Sequence, residues 1–134
     1  MADLSITAAN VVPATGALVS HGIAGGTITA GMPVYVAADG DIEPCDADAA
    51  ASAVCVGIAL NAASAGQPVS WITRGGLTIG ATVVLGVGYY VTPNPGGLGA
   101  WAEVQAGDYA TLVCVGLTTS TVWVEPIVTA GAKA

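Results

Sequence analysis

The chain has 134 residues, a length for one domain that can bury a core without disulfide staples. Hydrophobic residues make up 54% and charged residues only 8%, with 19 glycines and no phenylalanine, so bulk comes from small and β-branched side chains. The net charge is −7, with Arg74 and Lys133 as the only strong cations, which argues against direct nucleic-acid binding and against an anionic membrane surface.

Residues 1–14 (MADLSITAANVVPA) lack the basic region and long apolar segment of a signal peptide, so the product is expected to be made and kept in a cytoplasm, or released by lysis. Glycine, proline, threonine or aspartate interrupts every apolar run, and no stretch reads as a spanning helix. This first segment is apolar and has no evident hairpin partner in the chain. It reads as an N-terminal arm, exchangeable with a neighbouring copy. Residues 15–127 read as a single β domain and residues 128–134 as a flexible C-terminal tail.

Within the domain, valine, threonine and isoleucine dominate the periodic segments, and glycine or proline recurs every few residues. That is the pattern of many short strands joined by turns. Val34–Pro44 predicts a hairpin with a type I′ turn near Asp39-Gly40. Asp46–Ala53 is the one candidate helical turn. Pro68–Gly80 predicts a second hairpin around Gly75-Gly76. Thr92–Ala100 reads as a long turn leading into a strand at Trp101–Val104, and Asp108–Ile127 as two strands with a turn near Thr119-Ser120.

An internal duplication runs through these elements. Thr27–Val36 aligns with Thr82–Val91, 55 residues on, with threonine, glycine, tyrosine and valine shared. The tetrapeptide Val-Cys-Val-Gly occurs at Val54–Gly57 and again at Val113–Gly116, 59 residues on. The difference implies a four-residue insertion in the second copy, which the longer Pro-Gly loop would take up. Strand alternation puts Val54, Val56 and Ile58 on one face, and likewise Val113, Val115 and Leu117. Cys55 and Cys114 then face a closely packed second side as small apolar groups. Three cysteines (Cys45, Cys55, Cys114) without a CxxC spacing make neither a disulfide framework nor a zinc site.

Candidate chemistry is sparse. Asp39–Asp48 holds five acidic residues whose oxygens at alternate positions suit Ca²⁺, but the EF-hand glycine and glutamate are missing, and the segment reads as a solvated hairpin with its exit loop. Ser20 adjoins His21, the only histidine, yet neighbours on a strand face opposite sides and no G-x-S-x-G elbow occurs. Asp3, Glu103, Asp108 and Glu125 sit in no recognisable motif. Gly22–Gly26 and Asn94–Gly99 lack the lysine and helix of a phosphate loop. Trp71, Trp101 and Trp123 each fall in a predicted strand, as core or subunit-interface residues rather than a sugar platform. No catalytic, cofactor-binding or metal residue is assigned, and no cofactor is expected.

So little charge leaves strand edges and faces without their usual protection. Closure into a barrel or sandwich and coverage by other subunits are the two remedies, and both are expected. The fold class is therefore all-β, a compact antiparallel β-barrel or sandwich built on a duplicated strand module.

The order of these elements resembles the small capsid decoration (cement) proteins of tailed bacteriophages. The residues that carry the resemblance are Gly25–Tyr35, Asp39-Gly40, Asp46–Ala53, Val56–Asn61, Ala65–Val69 and Gly75–Ala81, within a match from Gly22 to about Glu125. The resemblance implies a β-barrel or jelly-roll-like domain on the exterior of the capsid. There it would bind the major capsid protein and itself, as a homodimer or homotrimer, and stabilise the shell. It brings no catalytic residues. An alternative is a head-fibre or tail-associated binding module for host glycans. An enzyme would need Ser20, His21 and a carboxylate such as Asp108 to converge.

Overall fold

The computed structural model describes residues 3–134. It is all-β, one antiparallel sheet curling into a half-barrel, and no α-helix forms among the described residues. The strands are β1 (Val12–Pro13), β2 (Leu18–Ile23), β3 (Pro33–Val36), β4 (Ile42–Pro44), β5 (Gly57–Ala59), β6 (Pro68–Thr78), β7 (Gly88–Val91), β8 (Leu98–Ala100), β9 (Tyr109–Gly116) and β10 (Thr121–Ala132).

The sheet order β4-β3-β5-β6-β10-β9-β7-β8 reads the same from either end once the duplication is applied. β3-β4-β5-β6 and β7-β8-β9-β10 are two copies of one four-strand module, joined edge to edge where β6 pairs with β10. β3 and β7 coincide at the 55-residue offset, and a short 3-10 turn, Ala51–Ala53 or Trp101–Glu103, precedes the third strand of each copy. The four extra residues of the second copy are divided. One lies in the Pro-Gly loop between β7 and β8, and three lie between β8 and Val113.

Two apolar clusters form the core. Cys45, Cys55, Ile58, Ile72, Leu77, Ile79, Val91, Val113, Cys114 and Val122 belong to the first. Ala24, Ile28, Val34, Ile42, Ala59, Val69 and Trp71 belong to the second. β5 and β6 are the wall between them: Ile58 and Ile72 face one cluster, while Ala59, Val69 and Trp71 face the other. Each fully buried isoleucine contributes roughly 1.5–3 kcal/mol of transfer free energy. The β2-β6-β5-β3-β4 arc closes around the second cluster through a parallel bridge between Ala24 and Ile42.

Several sequence expectations change here. Pro68–Gly80 is no hairpin. β6 runs unbroken through Gly75-Gly76, its first half paired with β2 and β5 and its second half with β1 and β10. Gly75 has φ +129°, and a Cβ there would stand 2.9 Å from Ala17 Cα, so the glycine bends the strand from one half of the sheet to the other. Trp101 lies in a 3-10 turn, not a strand. Residues 128–132 are no tail but continue β10 along β9, with Val128 opposite Thr111 and Ala132 opposite Tyr109. The Asp39-Gly40 turn is a three-residue loop: Gly40 N donates to Ala37 O, and Ala37 N to Asp41 O. In β9, Tyr89 pairs with Cys114 and Tyr90 with Leu112, so Val113 is a bulge residue. Val113 and Cys114 are consequently both buried, which strict alternation forbids.

The arm finds its partners within the chain. Leu4 N donates to Leu98 O, Thr7 N to Gly80 O, and β1 pairs with β6. Thr92 Oγ1 and Asn94 Nδ2 both donate to Asp3 Oδ2 at 3.0 Å, pinning the start of the described chain.

Candidate functional site

The residues weighed above for chemistry are scattered or spent on local structure. His21 Nδ1 lies 2.8 Å from the hydroxyl of Ser70, its cross-strand partner on β6, not from Ser20. No carboxylate pairs with His21 among the described residues, so a serine–histidine contact exists without an orienting acid. Asp108 is buried and accepts Gln105 N at 2.8 Å inside its own turn. In the acidic segment, Asp39 Oδ1 accepts Asp41 N and Asp46 Oδ1 accepts Asp48 N, turn-closing bonds that use up ligand oxygens. No group of three or more candidate metal ligands gathers among the described residues.

Asp46 is the carboxyl most perturbed by this arrangement. Burial raises its pKa from the ordinary aspartate value. The nearby charges of Asp48 and Asp108 add to the rise, while the Asp48 backbone N–H opposes it. Folding therefore favours the protonated form. The stabilisation this group gives is present below its unfolded pKa and is lost as pH rises through the folded value. Asp46→Asn keeps an oxygen for the Asp48 N–H. It is expected to raise the melting temperature at neutral pH and to shrink the gain in stability on acidification to about pH 4. Thermal scans of both proteins across that range check this.

All three cysteines are buried thiols in the first core cluster. Cys55 Sγ donates to Gly57 O at 3.3 Å. Cys114 belongs to the same cluster, so both Val-Cys-Val-Gly stretches bury their cysteines in one core. Burial pushes the Cys45 and Cys114 thiols far up, which keeps both sulfurs neutral and poor nucleophiles.

The surface, not the interior, carries the distinctive features. Val12, Leu18, Val36, Val84, Leu85, Trp123 and Ile127 are large, apolar and exposed. Beyond Val124, β10 leaves β6 and follows β9 alone, after a register shift across Glu125-Pro126. Pro126 has no N–H to lose at such an edge. From Ile127 to Ala132 no strand pairs with the outer edge of β10 among the described residues. Ile127 and Val128 are 52% and 39% exposed although they point to opposite faces, so this ribbon end meets solvent on both sides and along one edge. It carries none of the charges that usually guard such an edge.

The tryptophans have three different settings. Trp71 is buried in the second cluster, and its indole N–H has no acceptor among the described residues. Trp101 packs against Tyr90 with ring centroids 5.1 Å apart and lies under the Lys133 ammonium at 4.5 Å. Lys133 Nζ also donates to Trp101 O and Val104 O, which ties down the end of the chain. Trp123 is exposed beside Arg74 and Glu125. The sequence alone ranked these three alike, because their differences arise from cross-strand neighbours.

No protein-family model matches the chain, and no curated protein matches it. No helix among the described residues is long and apolar enough to cross a membrane.

Proposed function

We propose that the chain is a structural virion protein that binds the outer surface of a phage head and stabilises contacts between major capsid subunits. The observation that carries this reading is the uncharged ribbon end of β10. An extended segment added to an open edge gains a row of main-chain hydrogen bonds, and exposed side chains on either face supply the fit. The resemblance to capsid decoration proteins from Gly22 to about Glu125 supports the same reading. A protein repeated over a lattice gains avidity from many weak contacts, so a surface rich in alanine, threonine and glycine suits it. The edge is offered first to a second copy, giving a homodimer or homotrimer, and the apolar loop residues Val84 and Leu85 to the shell.

Copy number in purified virions from the source, by quantitative mass spectrometry, tests the reading. A ratio to the major shell protein near parity, or a simple fraction of it, is expected. A handful of copies per particle, or none, overturns it. Self-association is tested by Val128→Lys, which places a charge on the open edge. Sedimentation should show the oligomer reduced to monomer. Because Val128 is already exposed, unfolding stability should stay within about 0.5 kcal/mol of the parent.

A further inference from the structure

Around the bend of β6 the chain gathers several of its scarcest residue types. Leu18 on β2 lies opposite Arg74 on β6, and Trp123 on β10 lies opposite Gly76. Trp123 and Glu125 are two residues apart and share a face of β10. The Trp123 indole Nε1–H donates to Glu125 Oε1 at 3.1 Å, and Arg74 Nε lies 3.3 Å from the same oxygen. A hollow of about 310 Å³ opens beside this group, lined by Gly16, Leu18, Arg74, Gly75 and Trp123. Two of its lining residues, Gly16 and Gly75, carry no side chain. The volume is at the lower end of pockets for small organic ligands.

We propose that this corner is a saccharide-binding site, taking a sugar ring that presents an apolar C–H face and a vicinal diol. The inference stands apart from the shell-binding reading, because it concerns the free protein.

Three features select that ligand class. Trp123 is 41% exposed, while the Lys133 ammonium caps Trp101 and Trp71 is buried. Trp101 is 44% exposed, but its ring already packs on Tyr90 and Lys133. The Trp123 ring makes no ring or cation contact among the described residues and is the one offered for stacking. The shared use of Glu125 Oε1 holds the indole and the guanidinium in fixed relation. It leaves Glu125 Oε2 as an acceptor and the two Arg74 amino groups as donors, on residues that touch each other beside the hollow. Each hydroxyl of a vicinal diol both donates and accepts, so one diol can give a proton to Oε2 and receive one from Arg74. A purely apolar partner would leave these charged groups desolvated and unmatched. Leu18, 60% exposed, adds an apolar side chain to the lining.

The test is an NMR titration of the full chain with three probes: maltotriose, N,N′-diacetylchitobiose and trigalacturonic acid. The three tryptophans supply three indole N–H resonances, assigned with Trp123→Phe. With one or more probes the Trp123 resonance should shift saturably in the millimolar range, while those of Trp71 and Trp101 stay fixed. Arg74→Ala, an exposed change that leaves the core intact, should weaken binding at least about tenfold, as loss of a charge-assisted hydrogen bond requires. Trp123→Ala should abolish it, as read from the backbone amides of the lining residues Leu18, Arg74 and Gly75, with the Trp71 and Trp101 resonances reporting that the fold is retained. No movement of Trp123 with any probe overturns the proposal. So does equal movement of all three indoles.

Discussion

Gly57→Ala and Gly116→Ala are each expected to destabilise the protein by about 3 kcal/mol or more, at the upper end for an overpacked site. These are the glycines of the two Val-Cys-Val-Gly stretches. A Cβ on Gly57 would overlap the main-chain carbonyl oxygen of Ile72 and stand 2.8 Å from Trp71 Cδ1. A Cβ on Gly116 would overlap the carbonyl oxygen of Val84. Backbone oxygens cannot move aside by changing rotamer, so a strand must shift. Gly66→Ala is the control: its φ of +85° strains the new side chain, but nothing lies within 4 Å of the added carbon. It should cost only about 1 kcal/mol. Urea unfolding of the three variants checks the ranking. A Gly57 or Gly116 variant no worse than Gly66→Ala would refute the account of the motif as a close-approach device.

The second large effect concerns the cysteines. Cys114→Ser is expected to cost about 2–3 kcal/mol, because it buries a hydroxyl with no acceptor in place. Cys114→Ala should cost only about 1 kcal/mol, the loss of one small group from the core. Cys55→Ser should be milder than Cys114→Ser, since Gly57 O already accepts from Cys55 Sγ. Urea unfolding again provides the measurement. Alkylation adds a second readout: the native protein should resist iodoacetamide at neutral pH, and all three thiols should react once it unfolds. Rapid modification of the native protein would contradict the assignment of these sulfurs to packing.

Together these two sets explain why one short chain writes the same tetrapeptide twice. Each copy supplies a sulfur to the core between the modules and a bare backbone position where a neighbouring segment's carbonyl must come close. The requirement is steric and recurs because the module recurs.

Much of this was legible in the residues. Short β-branched runs cut by glycine and proline specify strands and turns by local sterics alone, so the all-β class, the Asp39-Gly40 turn and the Thr119-Ser120 turn follow from the sequence. The duplication was legible because identical residues at matched spacing survive in both copies, and the sheet order repeats it. That the cysteines are buried was legible from their apolar neighbours, although Cys45 and Cys55 lie outside the strands and Cys114 sits beside a bulge that breaks the alternation. What the residues did not reveal depends on partners distant in the chain. Gly75-Gly76 has the local signature of a turn, yet it is the bend of one long strand, because β1, β2, β5 and β10 all pair with β6. Residues 128–132 look like a loose tail until β9 offers them an edge. Trp71, Trp101 and Trp123 are alike in sequence and unlike in setting, since burial depends on which strand crosses in front. Composition and periodicity act over a few residues and decide local structure. Which side chains meet, and which edge stays open, is decided by the closing of the sheet, where long-range pairing outweighs local preference.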